Sequence, residues 1–130
     1  MVLKQLRKNK SLVLIVEDEV AMLKAIANAL SEVGFEVLEA QDGEQGLALA
    51  VEKHPDLILL DLVMPKMDGL TMLKQLRQDK WGKIVKVILL THMSETDRVA
   101  EALSYGAFQY LYKPDWDLGD VVEQVRKALK

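Results

Sequence analysis

Five residues spread along the chain carry side chains that could do chemistry together. Glu17 and Asp18 follow the apolar run Leu12–Val16, and Asp61 ends the run Leu57–Leu60. Thr91 follows Leu89-Leu90, and Lys113 follows Tyr112. Three clustered carboxylates need a cation, because two unit charges at about 4 Å repel by ~4 kcal/mol at an effective dielectric near 20. Hard oxygen donors without cysteine or paired histidines favour Mg2+ over zinc or copper. Asp18 and Asp61 are the expected direct ligands, with Glu17 a ligand through water. A carboxylate that gives one oxygen to a metal keeps another to attack phosphorus and form an acyl phosphate, which makes Asp61 the candidate acceptor. Lys113 adds positive charge, and the Thr91 hydroxyl can donate to a phosphoryl oxygen.

Such chemistry requires elements that carry these residues to one place. Leu12–Val16, Phe35–Ala40, Leu57–Leu60, Ile84–Leu90 and Phe108–Tyr112 read as strands. Helical spacing runs from about Glu19 to Val33, from Asp42 to about Lys53, and from Leu70 to about Gln78. A fourth helix, capped by Ser94, runs to about Tyr105. The last carries Leu118, Val121, Val122, Val125 and Leu129 on one stripe. Gly34 and Gly106 are expected helix stops, and Pro55 ends the second helix at His54. Strands alternating with helices predict an α/β fold, a single doubly wound five-stranded parallel sheet with helices on both faces. In a parallel sheet the carboxyl ends of the strands share one edge, so Glu17, Asp18, Asp61, Thr91 and Lys113 converge there.

Composition narrows the classes. The chain has 130 residues, enough for one domain, with 50% hydrophobic and 28% charged residues. A net charge of −3 argues against direct nucleic-acid binding by this domain. The absence of cysteine suits a cytoplasmic protein and removes disulfide and thiolate chemistry. No apolar run approaches the ~20 residues of a membrane helix, so no membrane is expected as a partner. Residues 1–10, with Lys4, Arg7, Lys8 and Lys10, read as a basic tail ahead of a domain over 11–130.

The motifs Ile15-Val16-Glu17-Asp18, Leu59 to Gly69, Leu90-Thr91 and Lys113-Pro114 together resemble the receiver domain of two-component response regulators. That resemblance covers about residues 11–129. It implies a flavodoxin-like strand order, 2-1-3-4-5. It implies phosphorylation of Asp61 by a histidine kinase or histidine phosphotransfer protein, with the domain catalysing its own phosphorylation and dephosphorylation. The backbone carbonyl of Val63 would join the Mg2+ ligands, Thr91 and Tyr110 would be the switch residues, and Lys113-Pro114 would be cis. The surface of the fourth helix, fifth strand and fifth helix would then bind a downstream protein, with a homodimer on phosphorylation also open. Val63 and His92 depart from the usual pattern, and a slowly decaying phosphoryl group is the expectation from both.

The alternative function is a phosphorylation-independent protein-interaction scaffold of the same fold, which loss of Asp61 or Lys113 would have favoured. A flavin site is disfavoured because Glu17-Asp18-Glu19 would repel a phosphate. Singly, Asp61 could be a turn residue, Glu19 a solvated first-turn acid, Asp68 a helix start and His54 a surface residue. Trp81 and Trp116 read as partial packing residues, or as partner contacts if exposed, and Met64 and Met67 as lining of the loop after Asp61. Whether the chain is a stand-alone regulator, a phosphorelay carrier or the receiver of a longer protein stays open.

Overall fold

Each apolar run is extended and each is followed by a helix. The computed structural model describes residues 10–91, 97–112 and 117–130. In chain order the elements are β1 (Leu12–Val16), α1 (Val20–Glu32), β2 (Glu36–Ala40), α2 (Gly43–Lys53) and β3 (Leu57–Asp61). There follow α3 (Gly69–Leu76), β4 (Lys86–Thr91), α4 (Asp97–Ser104), β5 (Gln109–Tyr112) and α5 (Leu118–Ala128). The strands form one parallel sheet in the order β2-β1-β3-β4-β5. This is the expected doubly wound α/β fold. After β1 the chain moves out to β2, then returns to lay β3 along the other side of β1. Strand order therefore reverses between β1 and β3, and in such folds ligands gather outside the carboxyl ends of the strands at that reversal.

Side chains alternate across the sheet with period two. Leu14, Val16, Ile58, Leu60, Val87 and Leu89 pack with residues of α2, α3 and α4, among them Ala50, Leu73 and Val99. Val13, Ile15, Leu57, Leu59, Ile88 and Leu90 pack with α1 and α5. Every residue of β3 is buried, which is why that run is uniformly apolar rather than alternating. Asp42 caps α2 by accepting the Gln45 N–H at 2.9 Å. Asp117 and Asp120 form a reciprocal capping box at the start of α5.

The stretch between α3 and β4 differs from the sequence reading. The apolar pattern puts Ile84 in the fourth strand, yet β4 begins at Lys86 and Ile84 is 83% exposed. The Asp79 carboxylate accepts the N–H groups of Trp81 and Gly82, both at 3.0 Å, and holds the chain in turns before the strand. The same turns bring Trp81 onto His54, with ring centroids 4.5 Å apart and planes at 8°. His54 is thus an exposed helix stop, at φ 50, with a stacking partner on another segment.

Arg77, just past α3, ties this region together. Its Nε donates to the Tyr105 carbonyl at 2.7 Å, Nη1 to those of Gly82 and Val85 at 2.7 and 2.9 Å, and Nη2 to that of Gly106 at 3.1 Å. Burial pulls the guanidinium pKa below its ordinary value, the cost of placing that charge among carbonyls. Hydrogen bonds to a charged group are each worth roughly 1.5–3 kcal/mol, and they do not add fully. Arg77→Leu is expected to lower unfolding free energy by about 2–3 kcal/mol in urea titrations. A loss within about 0.5 kcal/mol, typical of an ordinary surface position, would contradict this reading.

Candidate functional site

The reversal between β1 and β3 is where the carboxylates meet. The backbone N–H of Glu17 donates to the Ala40 carbonyl at 3.0 Å, carrying the β1–β2 pairing one residue past Val16. Glu17 is wholly buried, and its carboxylate accepts the Glu19 N–H at 3.1 Å. Asp18, next in the chain, is exposed. Asp61 is the last residue of β3, is 3% exposed, and accepts the Val63 N–H at 3.2 Å. One carboxylate oxygen from each of Glu17, Asp18 and Asp61 lies within 4.8 Å of the others.

Three hard oxygen donors, two buried and one facing solvent, suit a divalent cation that keeps several waters. Without one, each pair of charges at that separation repels by about 3 kcal/mol at an effective dielectric near 20. The residues present therefore fit a bound cation.

Thr91 ends β4 and is fully buried. In the β3–β4 register Asp61 pairs with Leu90, so Thr91 stands one step beyond the acid on the neighbouring strand. Tyr110 pairs with Leu89, which places Thr91 and Tyr110 on the sheet face that carries α2, α3 and α4. Tyr110 is exposed, and so is the side chain of Val63. Lys113 lies outside the described residues, with the Lys113-Pro114 bond, His92, Met93, Ser94 and Trp116. The structure thus brings Glu17, Asp18 and Asp61 together, with Thr91 on the adjoining strand end.

The sequence reading gives Met64 and Met67 to the loop after Asp61, but not the glycine contacts that hold it. Gly69 donates its N–H to the Leu62 carbonyl at 2.9 Å, and a Cβ there would stand 2.1 Å from the Asp61 carbonyl oxygen. From the other side, Gly43 donates to the Met67 carbonyl at 3.0 Å, and its Cβ would stand 2.3 Å from that oxygen. Met64 is buried in the core and Met67 packs against it, so both anchor the loop from below. Gly43 and Gly46, three apart at the start of a helix, were the available signal that this helix approaches its neighbours closely; Gly46 lies against Val16 and Met72.

Asp68 links the loop to two helices. It caps α3 through the Thr71 N–H at 2.8 Å and pairs with Nη2 of Arg98 at 2.9 Å. Burial pushes its carboxyl pKa up, but Thr71 and the Arg98 guanidinium outweigh that and hold it below the ordinary aspartate value. A depressed carboxyl pKa stabilises the fold above the unfolded pKa. The contribution is full at neutral pH and disappears as pH falls through the folded value.

Residues 13–126 match the model of the response regulator receiver domain. The chain belongs to that family. This receiver domain is 40% identical over 118 residues to the KDP operon transcriptional regulatory protein KdpE of Escherichia coli K12, covering 91% of this chain and 51% of that protein. It is 36% identical over 118 residues to the DNA-binding dual master transcriptional regulator RpaA of Synechocystis, covering 91% and 48%. The chain spans about half the length of these relatives. Among solved structures, it superposes on a CheY-like receiver domain protein from Methanospirillum hungatei with a TM-score of 0.85 at 28% identity, covering 93% of this chain and 94% of that one. A CheX-CheY-BeF3-Mg complex from Borrelia burgdorferi gives 0.83 at 29% identity, covering 92% and 90%. No helix among the receiver domain's described residues is long and apolar enough to cross a membrane.

Proposed function

We propose that this receiver domain accepts a phosphoryl group on Asp61, from a histidine kinase or a histidine phosphotransfer protein, in a reaction that requires Mg2+. The observation that carries this reading is the meeting of Glu17, Asp18 and Asp61 within 4.8 Å at the strand-order reversal. Asp18, Asp61 and the Val63 carbonyl would hold the ion directly, and Glu17 through water. Bound there, Mg2+ supplies positive charge for the equatorial phosphoryl oxygens. One Asp61 oxygen attacks phosphorus as the bond to the donor breaks, and Lys113 offsets charge on the transferred group. Thr91 donates its hydroxyl to a phosphoryl oxygen, and Tyr110, on the same sheet face, follows that movement.

The output surface is that of α4, β5 and α5. Leu103, Tyr105, Phe108, Tyr110 and Leu118 are exposed on these elements and the turns joining them, and these are apolar side chains that a partner would cover. A downstream protein, or a second phosphorylated copy, binds there, in the cytoplasm. The relatives named as transcriptional regulators support an output beyond this domain, whose own negative charge does not favour DNA.

Incubation with Mg2+ and acetyl phosphate tests the reading: intact mass should rise by one phosphoryl group, and chelation should prevent it. No mass gain at any Mg2+ concentration would refute it. The ion's site is tested separately. At a hundred times its dissociation constant, Mg2+ is expected to stabilise the fold by about 2.7 kcal/mol, a Tm rise of several degrees. Asp18→Asn should abolish most of that rise; an undiminished rise would place the ion elsewhere.

A further inference from the structure

Two ion pairs strap α4 to α3 on the side away from the output surface. Arg98, in the first turn of α4, reaches Asp68 at 2.9 Å, and Glu101, about one turn on, reaches Lys74 at 2.7 Å. The first is the more consequential, because Asp68 terminates the loop that Asp61 begins. Its neighbour Gly69 lies against the Asp61 carbonyl and donates to Leu62. The contact runs through Nη2 rather than as a two-point fork, and the buried Nε of Arg98 has no hydrogen-bond partner among the described residues. A one-point, half-exposed pair is weak and salt-sensitive, the scale that biases a conformational equilibrium without locking it.

We propose that the Asp68–Arg98 pair tethers α4 to the acceptor loop and opens when the domain switches, which makes Arg98 a positioning residue that sets how readily the site is occupied. The inference rests on the proposed phosphorylation of Asp61. Displacing α4 by an ångström or two would lengthen a 2.9 Å contact beyond hydrogen-bond range, so the tether favours the unswitched state. A ligand of the acceptor site must work against it, and removing it should let the same ligand act at lower concentration.

The test is a titration with beryllofluoride and Mg2+, a phosphoryl mimic, read by hydrogen exchange of the α4 backbone amides. Asp68→Asn keeps a good helix cap while removing the charge. Asp68→Asn and Arg98→Gln are each expected to lower the half-effect concentration by about two- to fivefold. The double variant should shift no further than either single one, and 1 M NaCl, which screens ligand binding in all of them alike, should close the gap between wild type and the variants. Unshifted midpoints, or single effects that multiply in the double variant, would overturn the tether. A wild type whose α4 responds while the variants match it would sink the tether alone. A wild type with no response to beryllofluoride at all would overturn both the tether and the phosphorylation reading.

Discussion

Asp61→Asn is expected to eliminate the phosphoryl mass gain completely while leaving the domain folded and more stable in Mg2+-free buffer. Asparagine has the shape of aspartate, and its amide oxygen can still accept the Val63 N–H now held at 3.2 Å. It lacks the anionic oxygen that attacks phosphorus, so transfer from acetyl phosphate should fall below detection. The same change removes one of three negative charges crowded within 4.8 Å. Asp18 is exposed and salt screens part of its repulsion, so a gain of about 1–2 kcal/mol in apo stability is expected. Added Mg2+ should then stabilise the variant far less than wild type. Intact mass and thermal melts with and without Mg2+ check both halves. A phosphoryl adduct on the asparagine variant would remove Asp61 from the acceptor role, and a fall in apo stability would mean that the carboxylates do not strain one another.

Gly69→Ala is expected to damage stability and chemistry together. The added Cβ would stand 2.1 Å from the Asp61 carbonyl oxygen and 2.9 Å from the Leu62 Cα, where real Cβ atoms essentially never come within 3.0 Å. Both obstacles are backbone, so no side chain can swing aside, and the acceptor strand or the start of α3 must shift by most of an ångström. Overpacking of this kind costs about 1–3 kcal/mol, and more where backbone must move. A misplacement of about 1 Å can cost roughly 100-fold in rate, so labelling by acetyl phosphate should slow by about that factor even in molecules that remain folded. Urea unfolding and single-turnover labelling measure the two effects. Wild-type labelling in a folded alanine variant would show that this close approach has no part in setting the position of Asp61.

Much of this was readable one segment at a time. Period-two and period-3.6 apolar patterns report burial on one face or both, a local property of the chain, so the order and type of the ten elements among the described residues followed from them. The start of the fourth strand escaped because a side chain decided it: Ile84 has a strand former's character, but Asp79 accepts two backbone N–H groups and holds the chain in turns. Arg77 gave no local sign of its four carbonyl partners, which come from two separate turns. His54 and Trp81 stack although nothing in either neighbourhood announces it.

The acids at the ends of the first and third strands could be named from the chain alone, because polar groups that close uniformly apolar runs have no packing reason to be there. Their approach to within 4.8 Å is a product of topology, since it depends on β3 returning to pair with β1 rather than with β2. The grip on the acceptor loop, by Gly43 on one side and Gly69 on the other, and the Asp68–Arg98 pair were likewise decided only in three dimensions. Residue type and spacing encode what a segment must bury, whereas the contacts that aim a reactive group arise where distant segments cross.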